Sequence, residues 1–134
     1  MDAEKRDAVT SIRVRYAECD PMQVAHHSTY LIWFEAGRAD LCRLRGIDYT
    51  AMERSGLFLP VVEARCRYVA SAHYDELLVL TTTIVEIKRR TVRFGYRLVR
   101  EAQLVAEGET YQMLVDAKGR PTAFPADLYD RFQP

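Results

Sequence analysis

Apolar and polar residues alternate from Val9 to Ala17, with Ile12, Val14 and Tyr16 on one side and Arg13 and Arg15 on the other. That period of two predicts a strand. Beyond Asp20-Pro21 the period changes. Tyr30, Trp33, Phe34, Gly37, Leu41 and Leu44 recur at helical spacing and predict a helix from about Thr29 to Leu44. Ser28 or Thr29 stands where a capping side chain is needed, and Gly46 where a helix stops. Leu31, Ile32 and Ala36 carry apolar surface well past the stripe, so other elements are expected to enclose the first half of this helix. Asp48 is placed to cap a short second helix over Tyr49 to Arg54, ended by Gly56.

From Leu57 the period returns to two. Leu59 to Tyr68, Leu77 to Ile87, Thr91 to Arg100 and Leu104 to Asp116 are rich in Val, Ile, Thr, Tyr and Phe and predict four strands. Lys88-Arg89-Arg90 and Glu101-Ala102-Gln103 are short connections suited to antiparallel neighbours. Lys118-Gly119-Arg120-Pro121 predicts a turn, and Ala126 to Phe132 a last helical turn. The order is one strand, one long helix, then four strands, an α+β layout with an antiparallel sheet and a single enclosed helix. One helix cannot cover both faces of five strands, which predicts pairing with a second copy.

A length of 134 residues suits one domain, 1–134, with one modest core. The formal net charge is zero, which argues against a nucleic-acid binder or an anionic-membrane binder. No apolar run is long enough for a membrane span. Met1 to Asp7 is charged with no hydrophobic stretch behind it, so no secretory signal is expected there. Cys19, Cys42 and Cys66 are an odd, widely spaced set, which predicts reduced thiols in a cytoplasmic protein.

The candidate chemistry lies between the first strand and the long helix, where Asp20, His26 and His27 meet the free N–H groups of a helix start. Asp20 suits a nucleophile or a general base, or the ordinary turn that Asp-Pro forms. Strand alternation puts Cys19 on the opposite face, so Asp20 is the candidate of the two. Adjacent histidines usually diverge, and no second ligand cluster is present, so no metal is expected. Glu35 and Arg38, one turn apart, suit an intrahelical pair or a buried supporting carboxylate. Lys88, Arg89 and Arg90 form the dense basic cluster, either a solvated hairpin tip or a seat for a phosphate-bearing ligand.

Arg15-Tyr16-Ala17-Glu18-Cys19-Asp20-Pro21, His27-Ser28-Thr29-Tyr30 and Phe34-Glu35-Ala36-Gly37-Arg38 together resemble the start of hotdog-fold acyl-CoA thioesterases, nearest to the 4-hydroxybenzoyl-CoA thioesterase branch. Val61-Val62-Glu63 and Tyr68-Val69-Ala70-Ser71-Ala72-His73-Tyr74-Asp75-Glu76-Leu77 extend the resemblance, which runs from about Ser11 to Val115. It implies a hotdog fold, a five-stranded antiparallel sheet wrapped around one long central helix, in homodimers or homotetramers with active sites between protomers. It implies hydrolysis of acyl-CoA to a free acid and CoA, with coenzyme A as part of the substrate and no cofactor. The family's catalytic carboxylate falls on Asp20, its carbonyl-polarising N–H and its histidine on His27, and the aromatic neighbour on Tyr30. Lys88, Arg89 and Arg90 become candidates for the nucleotide end of coenzyme A. An acyl-carrier-protein thioesterase, a hotdog enoyl-CoA hydratase or dehydratase, and a non-catalytic acyl-CoA-binding domain are the alternatives. The chain departs from the family pattern at Thr29, where many relatives have Asn, at Met22-Gln23, where Gly is frequent, and at Ser71, which replaces a proline.

Overall fold

In the computed structural model of this chain, β1 (Ala8–Arg13), β2 (Val61–Tyr68), β3 (Leu77–Ile87), β4 (Thr91–Arg100) and β5 (Gln103–Met113) form one antiparallel sheet in the spatial order β1-β3-β4-β5-β2. The structure describes residues 6–134; Met1 to Lys5, the start of the expected domain and of its charged N-terminal stretch, lie outside the described residues. The long helix α1 (Thr29–Leu44) lies against one face, with two short helices, α2 (Tyr49–Arg54) and α3 (Ala126–Arg131), beyond it. No helix among the described residues is long and apolar enough to cross a membrane.

Alternation decides what each face of the sheet does. Leu78, Leu80, Phe94, Tyr96, Leu98 and Ala106 point at α1 and are buried. Phe34 of α1 stacks flat on Tyr96, with ring centroids 4.2 Å apart. Helix and sheet approach closely because Gly37 has no side chain: a Cβ there would meet the Thr82 hydroxyl and come 2.8 Å from Leu80 Cδ2. The opposite face carries Arg67 against Glu107 at 2.7 Å and Arg65 against Glu109 at 3.2 Å. These pairs are half-exposed and contribute little to stability.

A polar chain runs beneath α1. Arg38 Nη1 donates to the Tyr96 hydroxyl (3.0 Å), which lies 2.6 Å from Thr110 Oγ1. Thr110 Oγ1 donates to Gln112 Oε1 (3.1 Å), and Gln112 Nε2 donates to the Leu59 carbonyl (2.9 Å). Arg38 is therefore engaged with the sheet rather than with Glu35, and Glu35 is exposed. The intrahelical pair and the buried carboxylate are both replaced by this arrangement.

Three expectations are corrected by the structure. The first strand ends at Arg13 instead of continuing to Ala17, because the Arg15 N–H is taken by the Glu18 carboxylate (2.8 Å), which folds Tyr16–Glu18 into a tight helical turn. Tyr16 accordingly swings out, 79% exposed. Ser28 occupies the cap position of α1 but makes no capping bond, since its hydroxyl lies 2.8 Å from His26 Nδ1 instead. Finally, α1 is open along one side: Leu31 and Ile32 are exposed, as are Val61 and Val62 on β2. β2 pairs with β5 alone, so its outer edge is unpaired among the described residues. By contrast, Asp48 caps α2 through Ala51, and Gly46 ends α1 with φ of 71°.

Candidate active site

Asp20 stands in a turn that the local sequence closes without help from glycine. The Asp20 N–H donates to the Val24 carbonyl (2.9 Å), and the Gln23 N–H donates to the Asp20 carbonyl (2.8 Å). Pro21 restricts one φ, and Gln23 adopts φ of 68°, the left-handed region that glycine fills more easily. The Asp20 carboxylate accepts the Met22 N–H on Oδ1 at 2.8 Å. Oδ2 takes no hydrogen bond among the described residues, so one oxygen holds the turn and the other is available. Oδ1 thus makes the ordinary turn expected of Asp-Pro.

Opposite Asp20 is the start of α1. The Thr29 N–H donates to the His26 carbonyl (2.9 Å), curling the backbone over His26–Ser28. That curl keeps the two imidazoles from diverging: their rings lie 4.2 Å apart, tilted by 31°. His26 Nδ1 accepts the Ser28 N–H at 3.1 Å. The His27 N–H donates to no protein acceptor among the described residues, and its carbonyl accepts the Tyr68 hydroxyl at 2.8 Å.

Asp20, His27, Tyr30 and Tyr68 line one cavity of about 320 Å³, with Val69–Ser71 also in its lining. Tyr30 meets Tyr68 edge to face at 4.9 Å. Burial raises the Tyr30 phenol, and burial with Cys66 and Tyr30 nearby pushes Tyr68 up to about 12, so both hydroxyls stay protonated at neutral pH. Behind them, burial would raise Glu76, but the His73 N–H and the Arg100 guanidinium, 2.8 Å away, outweigh it and hold that carboxyl below its ordinary value. Asp20, His27 and two aromatic rings thus line the same space. They suit attack on a carbonyl whose oxygen gathers charge.

Lys88, Arg89 and Arg90 are not part of this cavity. They form the exposed tip between β3 and β4, where the carbonyls of Arg89 and Arg90 accept the N–H groups of Phe124 and Leu114. β3 begins beside His73, which bridges to Val24, and runs 11 residues away from it. At about 3.3 Å per residue the tip is roughly 35 Å from that end of the sheet. A larger cavity, about 790 Å³, lies along the second half of α1 and is lined by Arg38, Cys42, Tyr49, Leu59, Val61 and Gln112. Burial pushes the Cys42 thiol up to about 11, leaving it neutral. Among the described residues no group of three or more His, Cys, Asp or Glu side chains converges as a metal site.

Two contacts around the cavity carry no local signal. Tyr68 is one of several aromatic residues at strand spacing, and only the fold brings its hydroxyl to His27. Glu18 reads as part of a turn, yet its Oε2 accepts the Trp33 indole N–H at 3.2 Å from 15 residues away.

The thioesterase-like superfamily matches residues 14–132 of the chain. The chain is 31% identical over 123 residues to the acyl-CoA thioesterase YbgC of Haemophilus influenzae, covering 90% of each. It is 28% identical over 129 residues to the 4-hydroxybenzoyl-CoA thioesterase of Pseudomonas sp., covering 88% of this chain and 92% of that one. The crystal structure of TT1821 from Thermus thermophilus superimposes with a TM-score of 0.89 at 38% identity, over 93% of this chain and 96% of that one.

Proposed function

Because this chain belongs to the thioesterase-like superfamily of hotdog-fold acyl-CoA thioesterases, we propose that it hydrolyses acyl-CoA with Asp20 as the reacting carboxylate and the His27 amide as the oxyanion donor. The overall change is R–CO–S–CoA plus water to R–COOH plus CoA–SH. Asp20 Oδ2 either attacks the thioester carbon, breaking C–S to release CoA thiolate and leave a mixed anhydride that water hydrolyses to R–COOH and free Asp20, or takes a proton from the attacking water and passes it to the departing thiolate. Negative charge then builds on the carbonyl oxygen, which the His27 N–H and the dipole of α1 stabilise. The observation that supports this reading is the shared cavity lined by Asp20 and His27, whose Oδ2 and N–H take no hydrogen bond among the described residues. The test is release of free thiol from a panel of aryl and alkyl CoA esters, run beside acyl-carrier-protein thioesters and an enoyl-CoA hydration assay. No thiol release from any CoA ester would sink the proposal.

A second copy completes the site in this reading. Exposed apolar residues on α1 and β2, together with the unpaired edge of β2, favour antiparallel pairing of β2 with the partner's β2. That operation sets the Val61 end of one β2 against the Tyr68 end of the other. It therefore turns the partner's larger cavity towards Asp20, giving room for an acyl group. It also carries the partner's Lys88, Arg89 and Arg90 to the same end of the joined sheet as Asp20. At about 4.8 Å per strand the tip then lies roughly 15–20 Å across the sheet, within reach of an extended pantetheine arm. A cytoplasmic location is part of the same proposal, in keeping with three free thiols.

Replacing Arg89 and Arg90 together by Ala is expected to raise KM for CoA esters by about tenfold, the loss of one or two guanidinium–phosphate contacts. KM for N-acetylcysteamine thioesters, which lack the nucleotide, should not change. Steady-state kinetics on both substrates checks this, and an unchanged KM ratio would remove the triplet from the ligand site.

A further inference from the structure

We propose that Glu18 is the positioning residue that sets Asp20 against the His27 amide, an inference that rests on the hydrolytic reading above. Its side chain is only 10% exposed, a place where a carboxylate is costly unless every oxygen is engaged. Here both are engaged. Oε1 accepts the Arg15 N–H at 2.8 Å, and Oε2 accepts Trp33 Nε1–H at 3.2 Å with the Arg15 guanidinium Nε also at 3.2 Å.

The main chain of the same residue works in the other direction. The Glu18 carbonyl accepts the His26 N–H at 2.8 Å and the Thr29 hydroxyl at 3.3 Å. Glu18 therefore grips the helix start twice, through Thr29 and Trp33, and holds the residue just before His27. Asp20 follows two residues later on the same backbone. The segment between Asp20 and His27 is a closed loop, and both of its ends are referred to Glu18.

The grip continues around the cavity. Trp33 meets Tyr30 edge to face at 5.0 Å, Tyr30 meets Tyr68 at 4.9 Å, and Tyr68 donates to the His27 carbonyl at 2.8 Å. A shift of Trp33 would move the aromatic wall and the amide together. A carboxylate suits this post and an amide does not. Two N–H donors from opposite sides need two acceptor oxygens, whereas Gln would turn an NH₂ towards one of them. Misplacement of about 1 Å in a reacting pair costs on the order of 10²-fold in rate.

The chain has a single tryptophan, so Trp33 reports its own hydrogen bond. In the full-length protein, Glu18→Gln is expected to lower kcat by roughly 10- to 100-fold while KM stays within about threefold. The Trp33 emission should shift as the indole N–H loses its carboxylate. Glu18→Asp should recover part of kcat, and Glu18→Gln should cost less in a Trp33→Phe background than alone, since the two share one interaction. Wild-type kcat in Glu18→Gln, or a loss of kcat no larger than the unfolded fraction, would overturn the inference. If Glu18→Gln does not fold, Trp33→Phe decides instead: lowered kcat at constant KM supports the inference, and wild-type kcat refutes it. Asp20→Asn assayed alongside separates the two proposals. An active Asp20→Asn defeats the hydrolytic reading, whereas an inactive Asp20→Asn beside a fully active Glu18→Gln defeats only the role of Glu18.

Discussion

Asp20→Asn is expected to lower kcat for acyl-CoA hydrolysis by roughly 10²- to 10⁴-fold, the range spanned by loss of a positioned base, with at least as much lost if Asp20 is the nucleophile. The substitution is informative because of how the two carboxylate oxygens divide their work. Oδ1 accepts the Met22 N–H at 2.8 Å and closes the turn, and Asn offers an oxygen for the same bond. Oδ2 takes no hydrogen bond among the described residues, so changing it to NH₂ breaks none of theirs. Fold and midpoint of thermal unfolding should therefore match the parent, while the oxygen proposed to react is gone. Circular dichroism with steady-state thiol release checks both halves. Near-parental kcat would mean that another group performs the chemistry.

Gly108→Ala is expected to have the largest effect on stability, about 3 kcal/mol of destabilisation or more. Gly108 pairs with Cys66 on β2 and with Tyr96 on β4. A Cβ at this position would strike the Arg65 carbonyl oxygen and approach Phe34 Cε2 to 2.9 Å. Backbone on one side and a fully buried ring on the other leave no flexible atom to yield. Relief requires β2 to move off β5, or Phe34 to leave its stack on Tyr96. Denaturant unfolding of the two proteins measures the loss. A change below about 0.5 kcal/mol, the size of an ordinary surface substitution, would mean that the strands part easily here.

What could be read from the residues divides by the range of the interaction that decides it. The bounds of α1 and α2 were legible because their signals are local: apolar spacing within each helix, Asp48 before one and Gly46 after the other. β3 and β4 were legible for the same reason, with both strands filled by alternating residues up to a hairpin tip. The end of β1 was not, since Val14 and Tyr16 continue its alternation and only the Glu18 side chain closing on Arg15 stops it. The cap of α1 misled because Ser28 has a competing partner in His26. Around the cavity, Asp20 and the His26–His27 pair stood out by residue type beside a helix start, and only the family resemblance singled out His27. Tyr68 and the Glu18–Trp33 bond depend on contacts across 41 and 15 residues, which no local pattern encodes. Lys88, Arg89 and Arg90 were recognisable as a basic tip, but their separation from Asp20 follows from strand direction alone.

Between the first described residue and Gly37 the chain contains no glycine, and the turn around Asp20 is held by Pro21, by Gln23 at φ of 68° and by bonds to its own backbone. A segment so built has few other shapes to visit. An arriving thioester would find its reactive surroundings already in place, so the disorder surrendered on association belongs almost wholly to the flexible acyl and pantetheine chains. Differences in affinity among substrates should then follow how stiff each substrate is, with little contribution from rearrangement of the protein.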